Sequence, residues 1–182
     1  MKKTTTKVIS IVALCVALNY VGGNLALMLK LPIYLDSIGT IFSAALLGPW
    51  VGMLTGTFSG LLSGVTTDLF SLYYIPVQIL TGLMAGLILH RANKLRWLPL
   101  QSLAISLPGT VVSSAITAYL FHGITSSGSS LLVQVLAGLG LSKFASVLII
   151  QVVTDYADRL ISVVLVAAVI TVLVKRKVVT YK

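Results

Sequence analysis

Glycine falls at positions 48, 52, 56, 60 and 64, every fourth residue of the stretch Gly48-Pro-Trp-Val-Gly-Met-Leu-Thr-Gly-Thr-Phe-Ser-Gly-Leu-Leu-Ser-Gly64. On a helix, positions four apart share a face, so the ladder is a stripe without side chains onto which a second backbone can close. Such a stripe constrains the fold to tightly packed helices. Its Thr55, Thr57, Ser59 and Ser63 can satisfy themselves on nearby carbonyls, and none of its groups recognises a ligand, so it reads as scaffold. Helix one or helix six is the neighbour expected against it, and the chemistry is expected just beyond Gly64.

The surroundings of the ladder decide the solvent. Of 182 residues, 57% are hydrophobic and 9% charged, and the mean hydropathy is +1.04, which leaves too few polar groups to cover a water-soluble domain. An integral membrane protein is expected. The formal charge is +9, with 13 Lys plus Arg against four aspartates and no glutamate. Those cations stand in short clusters beside apolar segments, as anionic lipids and the positive-inside rule favour, and this patterning argues against nucleic acid. Cys15, the sole cysteine, can build neither a disulfide framework nor a cysteine metal site.

In chain order, an all-α membrane protein of six transmembrane helices emerges, at about 8–29, 37–47, 49–65, 74–90, 98–121 and 143–174, forming one domain over 1–182. The first follows Lys2, Lys3 and Lys7; it is long enough to span and lacks a convincing cleavage site, which separates it from a signal peptide. Pro32 biases Leu31 away from helix, so 30–36 reads as an ordered loop, with Asp36 or Ser37 as the next cap. Gly48-Pro49 divides two short helices, 66–73 is a polar turn, and Pro108 is an expected kink. The apolar segment 131–141 is too short to span and reads as a surface helix.

An even number of spans with both termini cytoplasmic puts Lys2, Lys3, Lys7, the Arg91 to Arg96 link and Lys175, Arg176 and Lys177 on one side. The loops at 30–36, 66–73 and 122–143 then share the outer side, where Tyr34, Asp36, Asp68, Tyr74 and His122 supply aromatic and hydrogen-bonding groups suited to a small molecule. Inside the last helix, Asp155, Asp158 and Arg159 must be paired or wetted. Spacing by four favours an Asp155 to Arg159 salt bridge, leaving Asp158 as a second partner or a ligand contact. Gln78 and Gln151 are amides in an apolar setting and must find partners, either in a neighbouring helix or in a ligand. His90, at the basic end of helix four, reads as interfacial. The two histidines stand at opposite faces, so no metal site is expected. Neither a hydrolase triad nor a phosphate-cradling loop occurs, which argues against an enzyme and against any cofactor held by this chain.

Ala13 and Ala17 make a small-x-x-x-small pair on helix one. Together with Leu31-Pro-Ile-Tyr-Leu-Asp-Ser-Ile-Gly39, Leu47-Gly-Pro-Trp50 with its ladder, and Val65-Thr-Thr-Asp-Leu-Phe-Ser-Leu-Tyr-Tyr-Ile-Pro-Val-Gln78, this pair makes the chain resemble the substrate-binding S components of energy-coupling factor transporters. The resemblance implies capture of a vitamin or precursor on the outer side of a bacterial plasma membrane. It also implies docking through Ala13 and Ala17 onto a transmembrane coupling subunit that carries two ATPase subunits, and toppling of the S component in the bilayer. The 65–78 stretch and the Thr125 to Ser130 loop look most like the subgroup for hydroxymethylpyrimidine; related members take pantothenate, cobalamin or queuosine. A stand-alone ion-coupled transporter and a structural membrane subunit are the readings from other classes.

Overall fold

The computed structural model describes residues 5–90 and 97–176. Lys2, Lys3, the Arg91 to Arg96 link and Lys177 lie outside the described residues. Among the described residues all regular structure is helical: α1 (Thr5–Met28), α2 (Ile38–Leu47), α3 (Pro49–Thr66), α4 (Phe70–Tyr73), α5 (Ile75–Leu89), α6 (Leu98–Ala115) continued by a π-helical turn (Ile116–Leu120), α7 (Ser129–Gly138) and α8 (Lys143–Lys175).

Local chemistry sets these boundaries. Helix α1 ends because Lys30 adopts a left-handed φ of 49°, letting Lys30 N–H donate to the Leu27 carbonyl and Leu31 N–H to the Ala26 carbonyl, at 3.1 and 2.9 Å. This is a Schellman closure with lysine where glycine is usual. Gly48, at a φ of 99°, separates α2 from α3, and Pro49 opens α3 where its missing N–H costs nothing. Neither of the expected caps on α2 uses its side chain: Ser37 holds the N-cap position without a capping bond. Its hydroxyl is drawn instead to Asp158 and Arg159. The expected polar turn after α3 contains the single helical turn α4, and the helix over 98–120 runs through Pro108 and loosens to π geometry only at Ile116.

The glycine ladder faces α5, not helix one or the last helix as its spacing alone suggested. A Cβ on Gly56 would lie 2.7 Å from the Gln78 carbonyl oxygen, and one on Gly52 2.9 Å from that of Gly82. Gly82 and Gly86 answer from α5, where a Cβ would strike the Gly52 and Pro49 backbones. The approach is therefore two-sided, which is why α5 outcompetes the bulkier faces of α1 and α8. Helix α1 meets α3 along a different line, through Asn19 and Ser59.

The apolar core comprises Ile41, Ala44, Ala45, Ala85, Leu89, Ile105, Val163, Val166 and Ile170. Helix directions put it in the half of the bundle shared by the α2–α3 corner, the end of α5 and the start of α6. The opposite half is polar, and there the loops converge: Ser126 Oγ donates to Asp68 at 2.8 Å, Tyr34 meets Ser129 at 3.4 Å, and Gly128 is packed so closely on the Lys30 carbonyl that a Cβ has no room.

Among the described residues, three helices, Thr6–Met28, Leu98–Leu120 and Lys143–Lys175, are long and apolar enough to cross a membrane; α2, α5 and α7 are shorter apolar helices. Large apolar side chains stand exposed along α1 (Leu14, Leu18, Leu25), α6 (Val111) and α8 (Val153, Val172), a surface suited to lipid. Helix α7, expected as a surface helix, packs on α8.

Candidate functional site

Between the converging loops lies a cleft of about 970 Å³ including its open mouth, walled by α1, α3, α5, α6, α8 and the loops at 31–36, 67–71 and 125–127. Six of the residues singled out above line it: Tyr34, Asp36, Asp68, Tyr74, Gln78 and Asp155.

Each is placed by identifiable contacts. Tyr74 stands at the start of α5, its hydroxyl 2.5 Å from Thr117 Oγ1 in the π turn and its ring stacked on Phe121 at 6.3 Å. Phe70 and Tyr73 meet the same Phe121 edge-on, at 4.8 and 5.2 Å, so ring contacts anchor α4, whose Phe70 lines the cleft. Asp155 comes from α8 and accepts from Ser113 Oγ at 3.0 Å. Gln78 Nε2 donates to the Asp36 backbone carbonyl at 3.3 Å. Asp68 accepts from Phe70 N–H at 3.3 Å and from the hydroxyls of Ser71 and Ser126, so it pins the 125–127 loop across the mouth.

The loop carboxyl of Asp36 is pushed up to about 6, first by burial and then by Asp158, with Arg159 opposing. Burial likewise raises the Tyr34 phenol, which stays protonated.

The other three singled-out residues are elsewhere. Asp158 is fully buried and pairs with its neighbour Arg159, so the salt bridge that spacing suggested for Asp155 is made by Asp158. The reason is long-range: Arg159 also donates to Ser37, and Asp158 accepts from the backbone N–H groups of Tyr34 and Leu35 at 3.2 and 2.8 Å. The pair clasps the 34–37 loop to α8. Gln151 sits behind the wall, accepting from Ser113 at 3.0 Å and donating to Thr117 at 2.6 Å. His122 is exposed at a φ of 51° after the π turn and does not line the cleft.

Sequence reasoning passed over Asn19, Asn24, Phe70 and Ser113, which also line the cleft, and read Arg159, another lining residue, only as an ion-pair partner. Asn19 and Asn24 carried the same signal that singled out Gln78, an amide inside an apolar helix. The cleft wall holds three carboxylates, from Asp36, Asp68 and Asp155, and one guanidinium, from Arg159, which Asp158 already neutralises. Such a wall disfavours an anion and suits a neutral or cationic ligand with donor groups. No cluster of three or more metal-ligating side chains occurs among the described residues.

Residues 7–170 match the family model for the substrate-specific component of ECF transporters. The chain belongs to this family. An S component is a substrate-binding part of a transporter and not an enzyme, and it works with an ECF module. No curated protein and no solved structure matches the chain.

Proposed function

We propose that this S component captures hydroxymethylpyrimidine, or a closely similar flat aminopyrimidine, from the outer side of a bacterial plasma membrane. The observation that carries this reading is the cleft itself, where the Tyr74 ring, the Gln78 amide and the Asp36 and Asp155 carboxyls face one space. An exocyclic amine donates to a carboxylate, and a heteroaromatic ring stacks on tyrosine. Pantothenate, an anion, meets a wall rich in carboxylates.

Six membrane helices with both termini cytoplasmic is the topology that goes with this role. Helix α1 is the docking helix for a coupling subunit served by two ATPase subunits, and Ala13 and Ala17, both exposed, form its contact. Titration calorimetry on the isolated S component tests the substrate: heat with hydroxymethylpyrimidine and none with pantothenate is expected, and no heat with any aminopyrimidine removes this choice. Purification with a coupling subunit and ATPases supports the assembly, whereas ion-driven uptake by the chain alone in vesicles contradicts it.

A further inference from the structure

Asn19 of α1 is buried to 1% exposure, and its hydrogen bonds can be assigned without ambiguity from one end. The Gly39 backbone N–H donates to Asn19 Oδ1 at 2.7 Å, and a backbone N–H is never an acceptor. The Asn19 amide nitrogen must therefore face Thr40 Oγ1 and Ser59 Oγ, each at 2.9 Å. Both of its hydrogens are then used.

Thr40, having accepted from Asn19, has its own proton to give, and Gln78 Oε1 stands at 3.4 Å. The other arm of the Gln78 amide faces the Asp36 carbonyl oxygen at 3.3 Å, a group that only accepts. A donor at one terminus and an acceptor at the other orient the whole chain of bonds. Asn19, Thr40 and Gln78 come from α1, α2 and α5, so three helices fix one amide.

We infer that Asn19 is a positioning residue that acts through Thr40 to hold Gln78 with its N–H group toward the cleft. Nε2 has two hydrogens: one goes to the Asp36 backbone carbonyl, and the amide also bonds the Asp36 carboxyl, a bond that a ligand acceptor takes over when the carboxylate turns to the ligand's amine. The site is thus a fixed donor at Gln78 beside acceptors at Asp36 and Asp155. It selects a ligand edge with an acceptor next to a donor, as in a ring nitrogen flanked by an exocyclic amine. The inverted edge, a ring N–H beside a carbonyl, meets donor with donor and acceptor with acceptor. This deepens the reading above and rests on it for the choice of ligand.

The test uses the intact S component in nanodiscs, with hydroxymethylpyrimidine (the 4-amino compound) and its 4-oxo counterpart as probes. The wild type is expected to prefer the amino compound by roughly fivefold or more, since a mismatched buried hydrogen bond costs about this much. Thr40→Val removes the relay's donor and leaves the Asn19 to Ser59 bond in place; the preference is expected to collapse toward unity, and Thr40→Ser to restore it. Asn19→Leu is expected to act like Thr40→Val, and where it lowers the yield of folded protein, Thr40→Val carries the test. Affinity for both compounds falling in parallel, with the ratio intact, overturns the inference.

A second readout needs no ligand. In protein labelled with ¹⁵N-glutamine, the Gln78 side-chain amide signals, assigned through Gln78→Leu, are expected to shift in Thr40→Val and stay put in Thr40→Ser. Unmoved signals in Thr40→Val overturn the relay. If neither pyrimidine binds the wild type, the substrate reading falls, and the amide signals still decide the relay.

Discussion

A carboxylate with no solvent exposure, bonded to two backbone N–H groups, a serine hydroxyl and an arginine, makes Asp158 the most tightly held acid of the molecule. Asp158→Ala leaves the Arg159 guanidinium buried without its counter-charge. Losing one partner of a buried pair costs about 3–5 kcal/mol, so a clear drop in thermal midpoint in detergent is expected, together with loss of ligand binding as the 34–37 loop comes free. Tyr74→Ala tests a different contribution: removing one stacking ring is expected to weaken a pyrimidine by about 1–3 kcal/mol, roughly fivefold or more in Kd by calorimetry, together with a lower thermal midpoint as the contacts to Thr117 and Phe121 are lost. Polar residues inside apolar helices were legible, which is how Gln78 and Asp155 were placed among the candidates, while Tyr74 came from the outer-loop set. Asp158 was among the partners the sequence offered for Arg159; what spacing could not show is Ser37, 122 positions distant, which helps draw the guanidinium to Asp158 and away from Asp155. Asn19 carries the same signal as Gln78, an amide inside an apolar helix, but its partners Thr40 and Ser59 on α2 and α3 have no mark in the sequence.

At the level of helices, the close contact of α3 with α5 sets the position of Gln78 and so part of the cleft wall. Gly82→Ala places a methyl group inside the Gly52 backbone, and overpacking of this kind costs about 1–3 kcal/mol. Lower thermal stability and weaker ligand binding together are expected. Gly138→Ala at the end of α7 is the control, since a Cβ there meets nothing within 4 Å; a neutral or slightly stabilising effect is expected by the same measurement. The ladder's period was plain in the sequence, and so was the helix break at Gly48-Pro49. Its partner was not, because the answering pair Gly82 and Gly86 becomes meaningful only once two helices are known to face each other. The turn α4 was hidden for a similar reason: one helical turn has no periodicity to read, and this one is held by Asp68 and by ring contacts to Phe121.

For the whole molecule, acidity links the loops to binding. The Asp36 carboxyl titrates near 6, raised from 3.8, so its contribution to fold stability is fully present below pH 3.8 and lost as pH rises through about 6. A ligand amine needs the carboxylate, so affinity is expected to run the other way, rising between pH 5 and 7 and flattening in Asp36→Asn; calorimetry across that range checks both slope and sign. Docking is tested by bulky replacement at the exposed Ala13 and Ala17, which is expected to abolish uptake while leaving ligand affinity unchanged. Membrane character was readable from composition alone, whereas the convergence of three loops on one cleft followed from the charge map only through an assumed topology. The division of the bundle across its waist has a further consequence. In one half, Ile41, Ala85, Ile105 and Val163 form an apolar cluster, while the other half presents cleft-lining polar groups such as Asp36, Asp68 and Asp155 to an incoming molecule. Amide hydrogen exchange should therefore divide the protein into a slow base and a faster crown, and a bound ligand should slow the crown alone.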